Sequence, residues 1–278
     1  MGNQQRSDSK NNDQSKYIQS LYLEEDALKR QSRELAQEIK LENISLSQNE
    51  ASLVALVLSL VAPKKVVEIG TLTGLSAQYI YQSLSQDSDL WTFEKNKEHA
   101  EKAKKVFSKL VGAESSYSEL PNGKPVWTFT NKEKNKKIHL VNDDAEISLF
   151  FISQHAPFDG VFIDGNKSAY VNYLDWAEKH LKPGALVIAD NVFLSGTVWG
   201  EKNQKFSDLQ VQVMQEFNKK IFSSGEYEPV FIPSSDGMLI AKYLPKEEKL
   251  IQPVVDTETK IINDEKVLDV KDKGTSHV

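Results

Sequence analysis

From Val66 onward the chain repeats one unit, a short apolar run followed by a stretch with helical spacing. The runs are Val66–Ile69, Leu90–Phe93, Ile138–Val141, Gly160–Ile163 and Ala185–Ala189, with helix-like segments near 75–85, 96–109, 145–154 and 168–181. Strands that lack polar alternation are buried on both faces, and that requires helices above and below a mostly parallel sheet. The repeat therefore predicts an open, doubly wound α/β fold. After a further helix near 207–222, Tyr227–Ile232 and Met238–Tyr243 flank Pro233-Ser234-Ser235-Asp236-Gly237 and read as a hairpin, which makes one of the last two strands antiparallel to the rest.

The flanks are of different character. Residues 1–15 are polar and residues 246–278 are charged, with apolar residues too scattered for a core of their own, so both read as tails around one domain spanning 16–245. Between Tyr17 and Lys40, Ile18, Leu21, Leu28, Leu35 and Ile39 recur at helical spacing, which predicts one or two amphipathic helices. Such an apolar face outside the sheet needs a partner, either over the acceptor site or at a dimer interface. A denser apolar helix follows, with Ser47 as N-cap, Glu50 three residues on and Pro63 past its end. Residues 112–136 interrupt the alternation with turn formers, aromatics and lysines and read as an inserted loop, either functional or disordered, in which Trp127 and Phe129 hint at packing.

Composition narrows the chemistry. With no cysteine in 278 residues, disulfides, thiolate zinc sites and a cysteine nucleophile are excluded. The N-terminus has no apolar signal region and no run of about 18 apolar residues suggests a membrane span; the cytoplasm is the expected location. A net charge of -6 gives nucleic-acid binding no general support.

In an open α/β sheet, ligands bind at the carboxyl ends of the strands. The first predicted strand ends in Glu68-Ile69-Gly70-Thr71-Leu72-Thr73-Gly74, a glycine turn that lacks the G-x-G-x-x-G spacing of dinucleotide sites. The second ends in Phe93-Glu94, where a carboxylate can accept both hydrogen bonds of a ribose diol. The third leads into Asn142-Asp143-Asp144-Ala145, whose aspartates either cap the next helix or lie beside an adenine. The fourth and fifth end in Asp164-Gly165-Asn166-Lys167 and Asp190-Asn191. Asp164, Asp190 and Asn191 offer hard oxygen ligands suited to Mg²⁺, Mn²⁺ or Ca²⁺, or they are loop-capping residues.

Together, EIGTLTGLSA (68–77), VFIDGNKSAYVNY (161–173), LKPGALVIADNV (181–192) and SSDGMLIAKY near the end resemble cation-dependent O-methyltransferases: caffeoyl-CoA O-methyltransferases, their bacterial relatives and, more distantly, catechol O-methyltransferase. The similarity runs from about residue 17 to 244. It implies a doubly wound class I S-adenosylmethionine-dependent methyltransferase fold with a C-terminal antiparallel hairpin, and a likeness to family members that form homodimers. It further implies a cofactor pocket formed by Glu68, Gly70, Thr71, Ser76, Glu94, Ala145, Asp164 and Tyr173, a divalent cation on Asp164, Asp190 and Asn191, and Lys167 and Asp164 as catalytic groups. The acceptor would be a small hydroxylated aromatic. Departures include Asn166 where the family has an aspartate, Leu194 in place of the usual tryptophan with Trp199 nearby, and the 112–136 segment, which has no counterpart in the plant enzymes.

A sulfonium methyl is already activated, so such an enzyme has to align donor and acceptor and supply a deprotonated oxygen. Lys167 either takes that proton, if positive charge and desolvation depress its pKa, or is a surface lysine at a helix start. A nicotinamide-dependent oxidoreductase uses a similar sheet, although the glycine spacing counts against it. A non-catalytic S-adenosylmethionine-binding protein is the other competing reading.

Overall fold

A computed structural model describes residues 13–234 and 236–246. The five apolar runs form parallel strands β1 (Lys65–Ile69), β2 (Ser88–Phe93), β5 (Lys136–Val141), β6 (Phe158–Ile163) and β7 (Leu181–Asp190), ordered β5-β2-β1-β6-β7 in space. Helices α4 (Leu75–Ser83), α5 (Lys97–Val111), α6 (Ala145–Ile152) and α7 (Tyr170–His180) make the connections. The terminal hairpin is present: α8 (Asp208–Ser223) leads into β8 (Tyr227–Ile232), and β9 (Met238–Tyr243) inserts antiparallel between β7 and β8.

Neighbouring residues of one strand feed opposite cores, which is why the runs show no polar alternation. Val66 packs with Val54, Ile80 and Phe107 on the side of α4 and α5, while Val67 joins Leu149, Leu174 and Phe217 on the side of α6 to α8. Helix α3 (Gln48–Ser59) adds Val54 and Leu58 to the first core. Its predicted capping box is formed: the Glu50 N–H donates to Ser47 Oγ (3.2 Å) and the Ser47 N–H to Glu50 Oε2 (3.0 Å). Two orphan donors at the helix start are thereby satisfied.

The amphipathic N-terminal segment divides into α1 (residues 13–21) and α2 (Ala27–Glu38). Residues 13–15, expected in a polar tail, are helical; the rest of that tail and residues 247–278 lie outside the described residues. Asp26 caps α2 by accepting the N–H groups of Leu28 and Lys29, both at 3.0 Å. The apolar face of α2 finds its partner within the chain, since Leu35 and Ala36 are buried and the helix lies on α4 and α5.

The 112–136 segment is not a loop. It forms β3 (Ser116–Glu119) and β4 (Pro125–Asn131), which extend the sheet antiparallel from β5 to give, among the described residues, the nine-strand order β3-β4-β5-β2-β1-β6-β7-β9-β8. The physical reason is packing at the sheet edge: Val126 joins the core of α6 to α8, and Phe129 packs edge-on against Phe107 of α5, ring centroids 5.8 Å apart. Phe129→Ala should therefore cost about 3–5 kcal/mol of stability, measured by urea unfolding. Loss of less than about 1 kcal/mol, the range of an ordinary surface change, would contradict this packing.

Candidate active site

The carboxyl ends of β1, β2, β5, β6 and β7 open into one cavity of about 850 Å³. At its base, Gly70 takes φ +103°, and a Cβ there would collide with the carbonyl oxygen of Asp164. Only glycine lets the end of β1 lie against the end of β6, whose Asp164 N–H donates to Ile69 O at 2.8 Å. Thr71 and Ser76 line the cavity with Gly70.

Glu68 lies beneath this turn, fully buried and outside the cavity wall. Thr92 donates its hydroxyl to Glu68 Oε2 at 2.5 Å, while Oε1 has no hydrogen-bond partner among the described residues. Burial pushes the carboxyl up to about 8, tempered by the nearby Ser76 and Thr92 hydroxyls and reinforced by the charges of Asp164 and Glu94. A buried acceptor with an unused oxygen suits a cationic or hydrogen-bond-donating ligand.

Glu94, at the end of β2, does line the cavity. Its Oε2 accepts the N–H of Leu72 and its Oε1 that of Asn96, both at 2.8 Å, with His99 Nδ1 at 3.4 Å. Burial raises its pKa against these stabilising contacts. The carboxylate thus shapes the turn after β1, and Oε2, which accepts only the Leu72 N–H among the described residues, retains accepting capacity.

The two aspartates after β5 have distinct jobs. Asp144 caps α6, accepting the N–H of Glu146 at 3.0 Å, and pairs with Lys95 at 2.7 Å. Asp143 accepts from Ser148 Oγ at 2.5 Å and from Asn122 Nδ2 at 3.1 Å; burial opposes ionisation, but these bonds outweigh it and hold the carboxyl below its ordinary value. Asn122 belongs to the turn between β3 and β4, so the edge extension buttresses the site. Both aspartates face the cavity, as do Ala145 and, from α7, the buried Tyr173.

At the other end, Asp164, Asp190 and Asn191 are brought to the same cavity. Asn191 takes a left-handed φ of +58°. Burial and the neighbouring Asp164 charge push the Asp190 carboxyl up to about 8, partly offset by Lys167. Lys167 Nζ donates to Asp164 Oδ1 and to Tyr170 Oη, each at 2.8 Å, and Tyr170 Oη donates to Asp190 O at 2.8 Å. Desolvation alone would lower the lysine's pKa, but Asp164 and Tyr170 reverse that and raise it. The depressed pKa entertained for Lys167 is therefore corrected: its ammonium is held charged by the carboxylate beside it.

The wall also contains Glu50, Ser195, Lys205, Phe206 and Asp236, which sequence reasoning did not assign to the site. Asp236 accepts the Ser195 N–H, tying the terminal hairpin to the loop after β7. Trp199 is not in the wall; it is largely exposed and bonds Glu201 at 2.8 Å, whereas Leu194 is fully buried. The aromatic on that side is Phe206.

A glycine turn after β1, an acid after β2 and a reversed terminal strand pair are the marks of class I methyltransferases, and the phosphate-binding turn of a nicotinamide enzyme is missing. The chain belongs to the O-methyltransferase family, whose model matches residues 17–118 and 121–244, and it is S-adenosylmethionine-dependent. The two matched stretches meet within the 112–136 segment, at residues 119 and 120. A catechol O-methyltransferase of Niastella koreensis is 29% identical over 81% of this chain and 94% of its own. A caffeoyl-CoA O-methyltransferase of Zea mays is 24% identical over 80% and 79%. The O-methyltransferase TomG of Streptomyces achromogenes, involved in tomaymycin synthesis and solved with S-adenosylmethionine, is 25% identical with a TM-score of 0.68, covering 88% of this chain and all (100%) of its own. The oxidoreductase and non-catalytic readings fall with this assignment.

Because Glu68 binds its proton more tightly folded than unfolded, its contribution to stability is full below about 4.5 and lost as the pH rises through about 8. Glu68→Gln should flatten that part of the melting-temperature profile of the ligand-free protein. Melting curves of variant and wild type that stay parallel between pH 5 and 9, to be scanned by calorimetry, would refute the assignment.

Proposed function

We propose that this enzyme methylates a hydroxyl of a catechol-like or phenylpropanoid small molecule with the help of a divalent cation held by Asp164, Asp190 and Asn191. The observation that carries the reading is the pairing of Asp164 with a buried Asp190 whose carboxyl is pushed up to about 8. An acidic pair at a cavity wall, where burial and the Asp164 charge both oppose ionisation of Asp190, is a setting that favours a bound cation. Among the described residues no cluster of three or more His, Cys, Asp or Glu side chains is present, so the set is two carboxylates and one amide. Those are hard oxygen donors, which fit Mg²⁺ first and Mn²⁺ or Ca²⁺ next.

Glu68, Glu94 and the Gly70–Gly74 turn would hold S-adenosylmethionine. The unused Oε1 of Glu68 and the close approach at Gly70 support this fit. When bound, the cofactor supplies an electrophilic methyl group and the cation lowers the pKa of an acceptor hydroxyl. The chain's own residues orient the two ligands. Phe206 and Ile44 offer apolar surface to an aromatic ring, and Tyr173 closes the cofactor side. Lys167 holds Asp164 in place, and to take the acceptor proton it would first release one of its own to solvent, which a cation on Asp164 would favour by weakening that carboxylate's pull on the ammonium. Association as a homodimer belongs to the same reading, supported by the exposed Tyr17, Leu21 and Leu23 near the N-terminus.

Asp190→Ala is expected to retain S-adenosylmethionine binding but lose most turnover on catechols. Chelation of the wild type should do the same, with recovery on adding Mg²⁺ or Mn²⁺. Full activity in rigorously cation-free protein would end the cation-dependent reading and leave the family assignment intact. Lys167→Ala should slow methyl transfer by about 10²–10⁴-fold while leaving cofactor affinity unchanged, with the defect shrinking at high pH; a uniform loss across pH would remove Lys167 from the proton path.

A further inference from the structure

The turn between β1 and α4 is held by more than its own hydrogen bond, in which the Gly74 N–H donates to Thr71 O at 2.8 Å. Gly70, Leu72 and Gly74 take φ of +103°, +50° and +84° within five residues. For the two glycines this is unrestrained, but L side chains such as that of Leu72 disfavour it, and strained positions persist only where the surroundings over-determine them. From the sheet side, Glu94 accepts the Leu72 N–H, and the Thr71 and Thr92 hydroxyls are bonded at 2.5 Å. From the opposite side the support comes from α2. Ser32 donates its hydroxyl to Thr73 O at 3.1 Å, Thr73 returns its own hydroxyl to Ser32 O at 2.8 Å, and Gln78 Nε2 donates to Ser32 Oγ at 2.8 Å.

All three side chains are fully buried, and no residue of α2 lines the cavity. A reciprocal pair of buried hydrogen bonds fixes both the distance and the orientation of the two backbones it joins. Packing alone does not require it, since Leu35 and Ala36 already bury the apolar face of α2. We propose that Ser32 is a positioning residue for S-adenosylmethionine: it holds residues 71–74 in the conformation that binds the cofactor, so that α2 belongs to the cofactor site without touching the ligand. Without this clamp the turn would populate relaxed conformations, and apparent affinity falls by the fraction of molecules that remain competent.

The test uses the full chain and S-adenosylhomocysteine as the calorimetric probe, and it involves neither an acceptor nor a cation, so its outcome is separate from that of the acceptor reading. Ser32→Ala should weaken binding about tenfold. Leu35→Ala, which loosens the same helix without touching the turn, should lower the melting temperature at least as much while leaving affinity within about twofold of wild type. Wild-type affinity in Ser32→Ala, or an equal loss in Leu35→Ala, would overturn the proposal. Should Ser32→Ala not fold, Gln78→Met removes the donor to Ser32 Oγ and carries the same test: weakened binding supports the clamp and wild-type binding overturns it.

Discussion

Buried negative charge at the carboxyl edge of the sheet governs the rest of this molecule. Glu68, Glu94 and Asp190 are each driven toward protonation by burial, with Asp164 adding to the repulsion felt by Glu68 and Asp190. A fold stabilised only for its own sake would place apolar residues at such positions, because unpaired buried charge is costly. Here the chain's own donors supply part of the compensation: two backbone N–H groups on Glu94 and the Thr92 hydroxyl on Glu68. Lys167 supplies more through its ion pair with Asp164. The remainder is what the proposed cofactor and cation would supply, and on that reading binding and stability are two views of one electrostatic arrangement.

This arrangement also explains why parts distant in sequence converge. The end of β1 is pressed onto the end of β6 at Gly70, the end of β2 reaches over through Glu94, and Asp143 is steadied by Asn122 from the sheet extension. Strands set the positions, and the loops at their ends carry the polar groups. Lys167 acts within this network as a counter-charge first, since its ammonium is bonded to both Asp164 and Tyr170.

The parallel core was legible from sequence because buried strands such as β1 and β6 leave uninterrupted apolar runs, and the strand ends then locate Glu68, Glu94, Asp164 and Asp190. Strand β4 was not, because its two fully buried side chains, Val126 and Phe129, lie three residues apart and face opposite cores. That spacing matches neither an apolar run nor period-two alternation. Glu50 and Asp236 escaped assignment for a different reason. Glu50 was accounted for as half of a capping box, and Asp236 as a hairpin turn residue, yet both also face the cavity. Local roles visible in sequence concealed a second role that only tertiary placement creates. The charged state of Lys167 likewise depends on Asp164 and Tyr170 being bonded to it at once.

The two strands beyond β5 have a consequence for how the protein behaves in a crowded solution. Without them β5, with Ile138, Leu140 and Val141, would present its free backbone groups to any passing strand. Pairing with β4 and β3 moves that margin to Ser116–Glu119, four exposed residues that include no aliphatic side chain. The opposite margin, β8, carries Pro229, which has no N–H to offer. Short polar strands and edge prolines are poor templates for a foreign chain. Among the described residues the sheet thus ends on both sides in surfaces that discourage strand-by-strand growth into aggregates.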